Sequence, residues 1–142
     1  MVRAMTIARS NALALALLAC CVISLGGCNR VNNKQQYAPI HVVLTYDLQT
    51  KTCTQSVGGI PMKIIGLNPD QHVKWAAAND SFDVQFPAAK SPFAKNDFRS
   101  AYGGEVDSGP ATGTVNVTYP YYSVKVHGDE CQNSLELGFI MR

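Results

Sequence analysis

Between Ser81 and Phe86 the side chains alternate without a break. Phe82, Val84 and Phe86 fall on one side, and Ser81, Asp83 and Gln85 on the other. A period of two is the signature of a half-buried strand, because successive Cβ atoms in extended chain point to opposite faces. The same rhythm recurs through the chain. Val42, Leu44 and Tyr46 alternate with Val43 and Thr45, and Val73 and Trp75 alternate with His72 and Lys74. Val115, Val117 and Tyr119 share a face in Thr114 to Tyr119. From Tyr121 to His127 the alternation places Tyr122, Val124 and Val126 inward and Tyr121, Ser123, Lys125 and His127 outward. Leu135, Leu137, Phe139 and Met141 make a last inward row.

Turn chemistry separates these runs. Gly58-Gly59, Asn68-Pro69-Asp70, Asn79-Asp80 and Gly128-Asp129 are sites where the chain reverses. Residues 87–112 break the rhythm with Pro87, Pro92, Pro110, Gly103, Gly104 and Gly109, and read as one long loop. Phe93, Phe98 and Tyr102 are its available anchors, with a short helical turn expected from Phe93 to Phe98. Pro120 marks a turn, a bulge or an edge. Seven or eight short strands with turns between them predict an all-β fold, an antiparallel Greek-key β-sandwich over residues 40–142, with Trp75 at its centre.

The beginning of the chain follows different rules. Arg3 and Arg9 are basic, and Ala12 to Leu25 carries no polar side chain but Ser24. That apolar run is shorter than the ~20 residues of a spanning helix and suits an N-terminal signal helix. Leu25-Gly26-Gly27-Cys28 closes it and resembles the lipobox of bacterial lipoproteins. Gly26 and Gly27 are small enough for the peptidase at the scissile bond, Leu25 is the apolar residue three before the cysteine, and Cys28 carries the thiol to be acylated. Leu17-Leu18-Ala19-Cys20 fits loosely too, but cleavage there would leave Cys21 to Leu25 as an exposed apolar run. The resemblance implies a signal peptide over 1–27, lipidation at Cys28 and a membrane anchor. Asn29, in the position after the cysteine, implies the outer membrane, facing the periplasm. Residues 28–39 are polar and read as a flexible tether.

Removal of 1–27 changes the charge balance. The chain has 12 Lys+Arg and 10 Asp+Glu, a formal net charge of +2. Arg3 and Arg9 leave with the signal, so the mature chain is formally neutral, with no electrostatic footprint for nucleic acid. Of five cysteines, Cys20 and Cys21 leave and Cys28 is acylated. Cys53 and Cys131 remain in an oxidising compartment, where a disulfide is expected. Two buried thiols or a shared metal site are the alternatives.

The body of the chain resembles the cupredoxin-like sandwiches over residues 40–142. The likeness lies in Val73-Lys74-Trp75, then Phe82-Asp83-Val84-Gln85-Phe86, a long loop with Ser91-Pro92-Phe93, and Tyr119-Pro120-Tyr121-Tyr122-Ser123-Val124-Lys125-Val126 before the last strand. An immunoglobulin-like sandwich would share much of this alternation. The resemblance implies the fold. The blue-copper ligand set does not carry over, because Ser123 and Val124 stand where the cysteine would be, and the late order is His127, Cys131, Met141.

Residue chemistry narrows the function classes. His72, His127, Met62 and Met141 are suitable copper or zinc ligands. By strand parity, however, both histidines lie on the solvent face and Met141 in the core, so no metal or other cofactor is expected. His41 has no cysteine or carboxylate cluster beside it in the sequence. No Gly-x-Ser-x-Gly elbow or His-Glu-x-x-His helix is present, and no enzyme is expected. Asp80 and Asp83 read as a turn and a wet face. Tyr121, Tyr102 and Tyr37 are candidates for a recognition surface. The expectation is a lipid-anchored envelope protein with a binding or structural role, its partner an envelope protein or a glycan. The alternatives are a copper-binding or electron-transfer domain and, behind it, a periplasmic hydrolase.

Overall fold

The computed structural model describes residues 36–142, so the expected signal peptide over 1–27 and the expected lipidation site Cys28 lie outside the described residues. Twelve strands follow in order: β1 (Ile40–Asp47), β2 (Thr52–Val57), β3 (Ile60–Pro61), β4 (Ile64–Leu67), β5 (His72–Ala77), β6 (Phe82–Gln85), β7 (Asp97–Ser100), β8 (Glu105–Pro110), β9 (Thr118–Pro120), β10 (Ser123–Val126), β11 (Asp129–Glu130) and β12 (Gly138–Met141). One 3-10 turn, Ser134–Glu136, precedes β12. The fold is an all-β sandwich. A five-stranded sheet, β3-β2-β1-β5-β8, faces a four-stranded sheet, β11-β10-β6-β7, and a three-stranded sheet, β4-β12-β9.

The pairing is mixed rather than antiparallel throughout. β1 runs parallel to β5, with Val42 opposite Trp75, and β12 runs parallel to β4. After β2 the chain crosses to the three-stranded sheet through β4 and returns, so β5 enters the five-stranded sheet from the same end as β1. Such a crossover makes neighbouring strands parallel.

The core forms where the inward rows of the three sheets meet. Val42, Leu44, Val73, Trp75, Val84, Val124, Phe139 and Met141 are all at most 1% exposed. The Trp75 ring lies 4.7 Å from Phe98 and 5.6 Å from Phe93, centroid to centroid, and edge-on to Phe139. Truncation of a buried aromatic of this kind costs about 3–5 kcal/mol. Cys53 and Cys131 are joined by a disulfide, with Cα atoms 5.4 Å apart and a sequence separation of 78. Asn133 reinforces the join, accepting from the Cys53 amide and donating to the Cys53 carbonyl, both at 2.8 Å.

Two hairpins are closed by two-residue turns with positive φ at both positions. Gly58 (φ 57°) and Gly59 (φ 80°) join β2 to β3, and His127 (φ 58°) and Gly128 (φ 82°) join β10 to β11. That geometry matches strand twist and favours glycine.

Several expectations from the sequence are corrected. Residues 87–112 are not one loop, since β7 and β8 lie within them, and no helical turn forms near Phe93 to Phe98. Phe93 and Phe98 anchor the segment, but Tyr102 is 74% exposed. Thr114 to Val117 is a turn that leaves Val115 and Val117 exposed. At the tyrosine pair the sides are exchanged, with Tyr121 fully buried and Tyr122 64% exposed. There the chain passes from β9 in the three-stranded sheet to β10 in the four-stranded sheet, and parity does not survive a change of sheet. Leu135 is 70% exposed because the 3-10 turn rotates it out of the row formed by Leu137, Phe139 and Met141.

Candidate functional site

The histidines and methionines named from the sequence do not come together. His41 Nδ1 lies 3.3 Å from Glu105, which also binds Lys74 at 3.2 Å. His72 Nδ1 lies 2.8 Å from Asp107. Burial works against the Asp107 carboxylate, but the Gly109 amide and His72 outweigh it and hold its pKa below the usual range. Met62 is exposed and Met141 buried. Among the described residues no group of three or more His, Cys, Asp or Glu stands where it could hold a metal ion.

His127 lies on the solvent face, as strand parity predicts, but it has a partner. Its Nδ1 lies 2.6 Å from Asp80 Oδ1, across the groove between the β10–β11 turn and the β5–β6 turn. The hydrogen bond and charge of Asp80 raise the His127 pKa above its ordinary value. The groove, about 390 Å³, is lined also by Thr45, Tyr46 and Leu48. This is a base with its orienting acid in a concave setting, which strand parity did not anticipate because the two residues sit in different turns. Among the described residues no hydroxyl or thiol is hydrogen-bonded to His127 Nε2, so the pair lacks the nucleophile that acyl transfer uses.

A second groove, about 440 Å³, opens just beyond the end of β6. Gln85, Phe86, Pro87, Ala88, Asn96, Asp97 and Tyr122 line it. Burial of Tyr121 turns the adjacent Tyr122 ring outward, and the Tyr122 amide donates to the Gln85 carbonyl at 2.7 Å, fixing the ring's base against β6. The Asn96 carbonyl accepts from the Phe86 amide at 2.7 Å and holds the opposite wall.

A charged row flanks this groove on the outer face of the four-stranded sheet. Asp83 is paired across strands with Arg99 and Lys125, and Gln85 with Asp97 and Ser123. Arg99 donates to Asp97 at 2.5 Å and reaches Asp83 at 3.8 Å, while Gln85 Nε2 donates to Asp83 at 3.3 Å. Burial raises the pKa of the Asp83 carboxyl, Asp97 adds to the rise and Arg99 opposes it. The result is one outward aromatic ring beside amide, carboxylate and guanidinium groups held in place by one another. Of the three tyrosines proposed for a recognition surface, Tyr121 is excluded by burial, and Tyr122, assigned inward from the sequence, takes its place. The signal for the exchange lies before Pro120: continuing the alternation that puts Tyr119 inward gives Tyr121 inward and Tyr122 outward, and the parity breaks only between Tyr122 and Ser123.

No family model matches the chain, and no curated protein matches it. A solved structure, the crystal structure of Fet3p, a multicopper oxidase that functions in iron import, superposes with a TM-score of 0.38 at 14% identity. The match covers 76% of this chain and 23% of the oxidase.

Proposed function

We propose that this chain is a lipid-anchored cell-envelope protein whose cupredoxin-like sandwich binds a ligand rather than transforming one, with a saccharide of the envelope as the ligand. The anchor reading is supported by Leu25-Gly26-Gly27-Cys28 behind its apolar run. The observation that carries the binding reading is the Tyr122 ring, 64% exposed on the wall of a groove that also presents Gln85, Asn96 and Asp97. A sugar ring offers an apolar C–H face to an aromatic ring and hydroxyls at its rim to amides and carboxylates. The groove supplies both within one wall, the combination of apolar surface and few polar groups that small-ligand sites use.

The test is a glycan array probed with the native chain and with Tyr122→Ala. Binding lost in the variant supports the proposal, and equal binding by both removes the groove from consideration. A second reading, hydrolysis, is favoured by the His127–Asp80 pair alone. Ester or amide turnover abolished by His127→Ala would place chemistry in the other groove.

A further inference from the structure

The topology gives the sandwich two chemically different ends. One end is where the tether leaves. The Ala38 carbonyl accepts from Gln71 Nε2 at 2.8 Å, and Ile40 enters β1 beside Val73 of β5. The β2–β3 turn lies at this end, because Val42 near the start of β1 is opposite Val57 at the end of β2. So do the 111–117 connection and the end of β12: the Asp70 amide donates to the Ala111 carbonyl at 2.9 Å, and the Asn116 amide donates to the Met141 carbonyl at 2.9 Å. The segment after β6 also reaches it, since the Pro92 carbonyl accepts from Thr112 and Gly113. The opposite end holds the turns at 47–51, 78–81, 101–104 and 127–128.

Charge separates the two. The connections at the tether end carry Lys90, Lys95 and Arg142, all exposed, against Asp70. With the strand residue that follows each turn included at both ends, the far end carries Asp47, Asp80, Glu105 and Asp129 against Lys51, and the tether end gains Asp97 beside Asp70. Apolar side chains stand out at both ends, Ile60 (62%), Val115 (45%) and Val117 (40%) at the tether end and Leu48 (77%) and Tyr102 (74%) at the far end, so it is charge that distinguishes them. The tether continues the pattern: Arg30 and Lys34 precede the domain, and the first acidic residue after Cys28 is Asp47.

From these observations we infer that the tether end of the sandwich is a membrane-contact surface, with the Ile60 tip and the Val115–Val117 tip resting in the headgroup region of an anionic bilayer. The inference rests on the anchor at Cys28. From Cys28 to Gln36 the chain spans at most about 30 Å when extended, so an acyl-anchored domain cannot leave the surface. Reach confines the domain, and charge orients it, since basic residues near an anionic leaflet are attracted and acidic ones repelled.

The experiment uses the full lipidated chain, isolated from membranes and reconstituted into phosphatidylethanolamine–phosphatidylglycerol vesicles with brominated acyl chains. Single tryptophans replace Ile60, Val117 or Leu48, the last at the far end, with the buried Trp75 as a constant background. Quenching is expected at positions 60 and 117 and not at 48, and is expected to be lost at 60 and 117 in phosphatidylcholine vesicles. Quenching at 48 equal to that at 60, or none at any position in protein that floats with the vesicles, overturns the contact surface while leaving the anchor intact. Protein that does not float with the vesicles overturns the anchor and the inference with it.

Discussion

The Tyr121 hydroxyl donates to Gln55 Oε1 at 2.9 Å inside the sandwich, where both residues are fully buried. The same hydroxyl accepts from Trp75 Nε1 at 3.2 Å, and Gln55 Nε2 donates to the Lys63 carbonyl at 2.7 Å. Strands β2 and β5, the β3–β4 connection and the β9–β10 connection thus meet at one polar thread through an apolar core, and burial holds the Tyr121 pKa far above its ordinary value. Every member is satisfied, the condition under which a buried polar group is tolerated.

Tyr121→Phe leaves Gln55 Oε1 and the Trp75 N–H without their partner, and is expected to cost about 1–3 kcal/mol. Urea unfolding with the disulfide intact measures it. A loss below about 0.5 kcal/mol would mean that the thread adds nothing beyond packing.

The disulfide closes a long loop, so its effect on the unfolded chain is near the upper part of the usual range. Cys53→Ser with Cys131→Ser is expected to cost about 4 kcal/mol on the chain-entropy account. Non-reducing peptide mass spectrometry should find the two linked, and two alkylatable thiols would contradict the pairing.

Glycine is needed at one position of β12 and not at its neighbour's counterpart. A Cβ on Gly138 would run into the Tyr119 carbonyl oxygen and stand 2.7 Å from Pro120 Cα, both backbone. A Cβ on Gly66 would meet only the Arg142 side chain, which can move. Gly138→Ala is expected to cost about 2 kcal/mol or more, and Gly66→Ala well under 1. Equal melting temperatures for the two variants would refute the backbone contact.

His127 gains its proton more readily in the folded chain because of Asp80. A histidine pKa raised by folding contributes stability that is complete below the unfolded value and is lost as pH rises through the folded one. Wild type should therefore exceed His127→Asn in melting temperature in mild acid, with the gap closing above neutrality. A gap that widens with pH would show that Asp80 does not act through charge.

Cys28→Ala is expected to move the protein from the membrane fraction to the soluble periplasmic fraction. Unchanged partitioning on fractionation would count against acylation at this residue.

Much of the strand content was legible because alternation is local. Val73 and Trp75, Phe82 and Val84, Val42 and Leu44 lie inside single strands, where the pleat alone sets the side chain's direction. The Asn68-Pro69-Asp70 and Gly58-Gly59 turns were legible for the same reason. The errors cluster where the chain leaves one element for another: Tyr121 and Tyr122 at the change of sheet, Leu135 in the 3-10 turn, and Val115 in a turn. β7 and β8 escaped notice because each is short, and β8 is defined by hydrogen bonds to β5, far back in the chain.

The amino-acid order alone determined most of the strand periodicity and several of the turns, since each depends on residues close together in the chain. Tertiary structure decided which strands run parallel, which tyrosine faces solvent, and that His127 meets Asp80. It also placed Lys90, Lys95 and Arg142 at the end of the sandwich where β1 begins. Those outcomes depend on which distant segments become neighbours, and the collective packing of three sheets around Trp75 determines that.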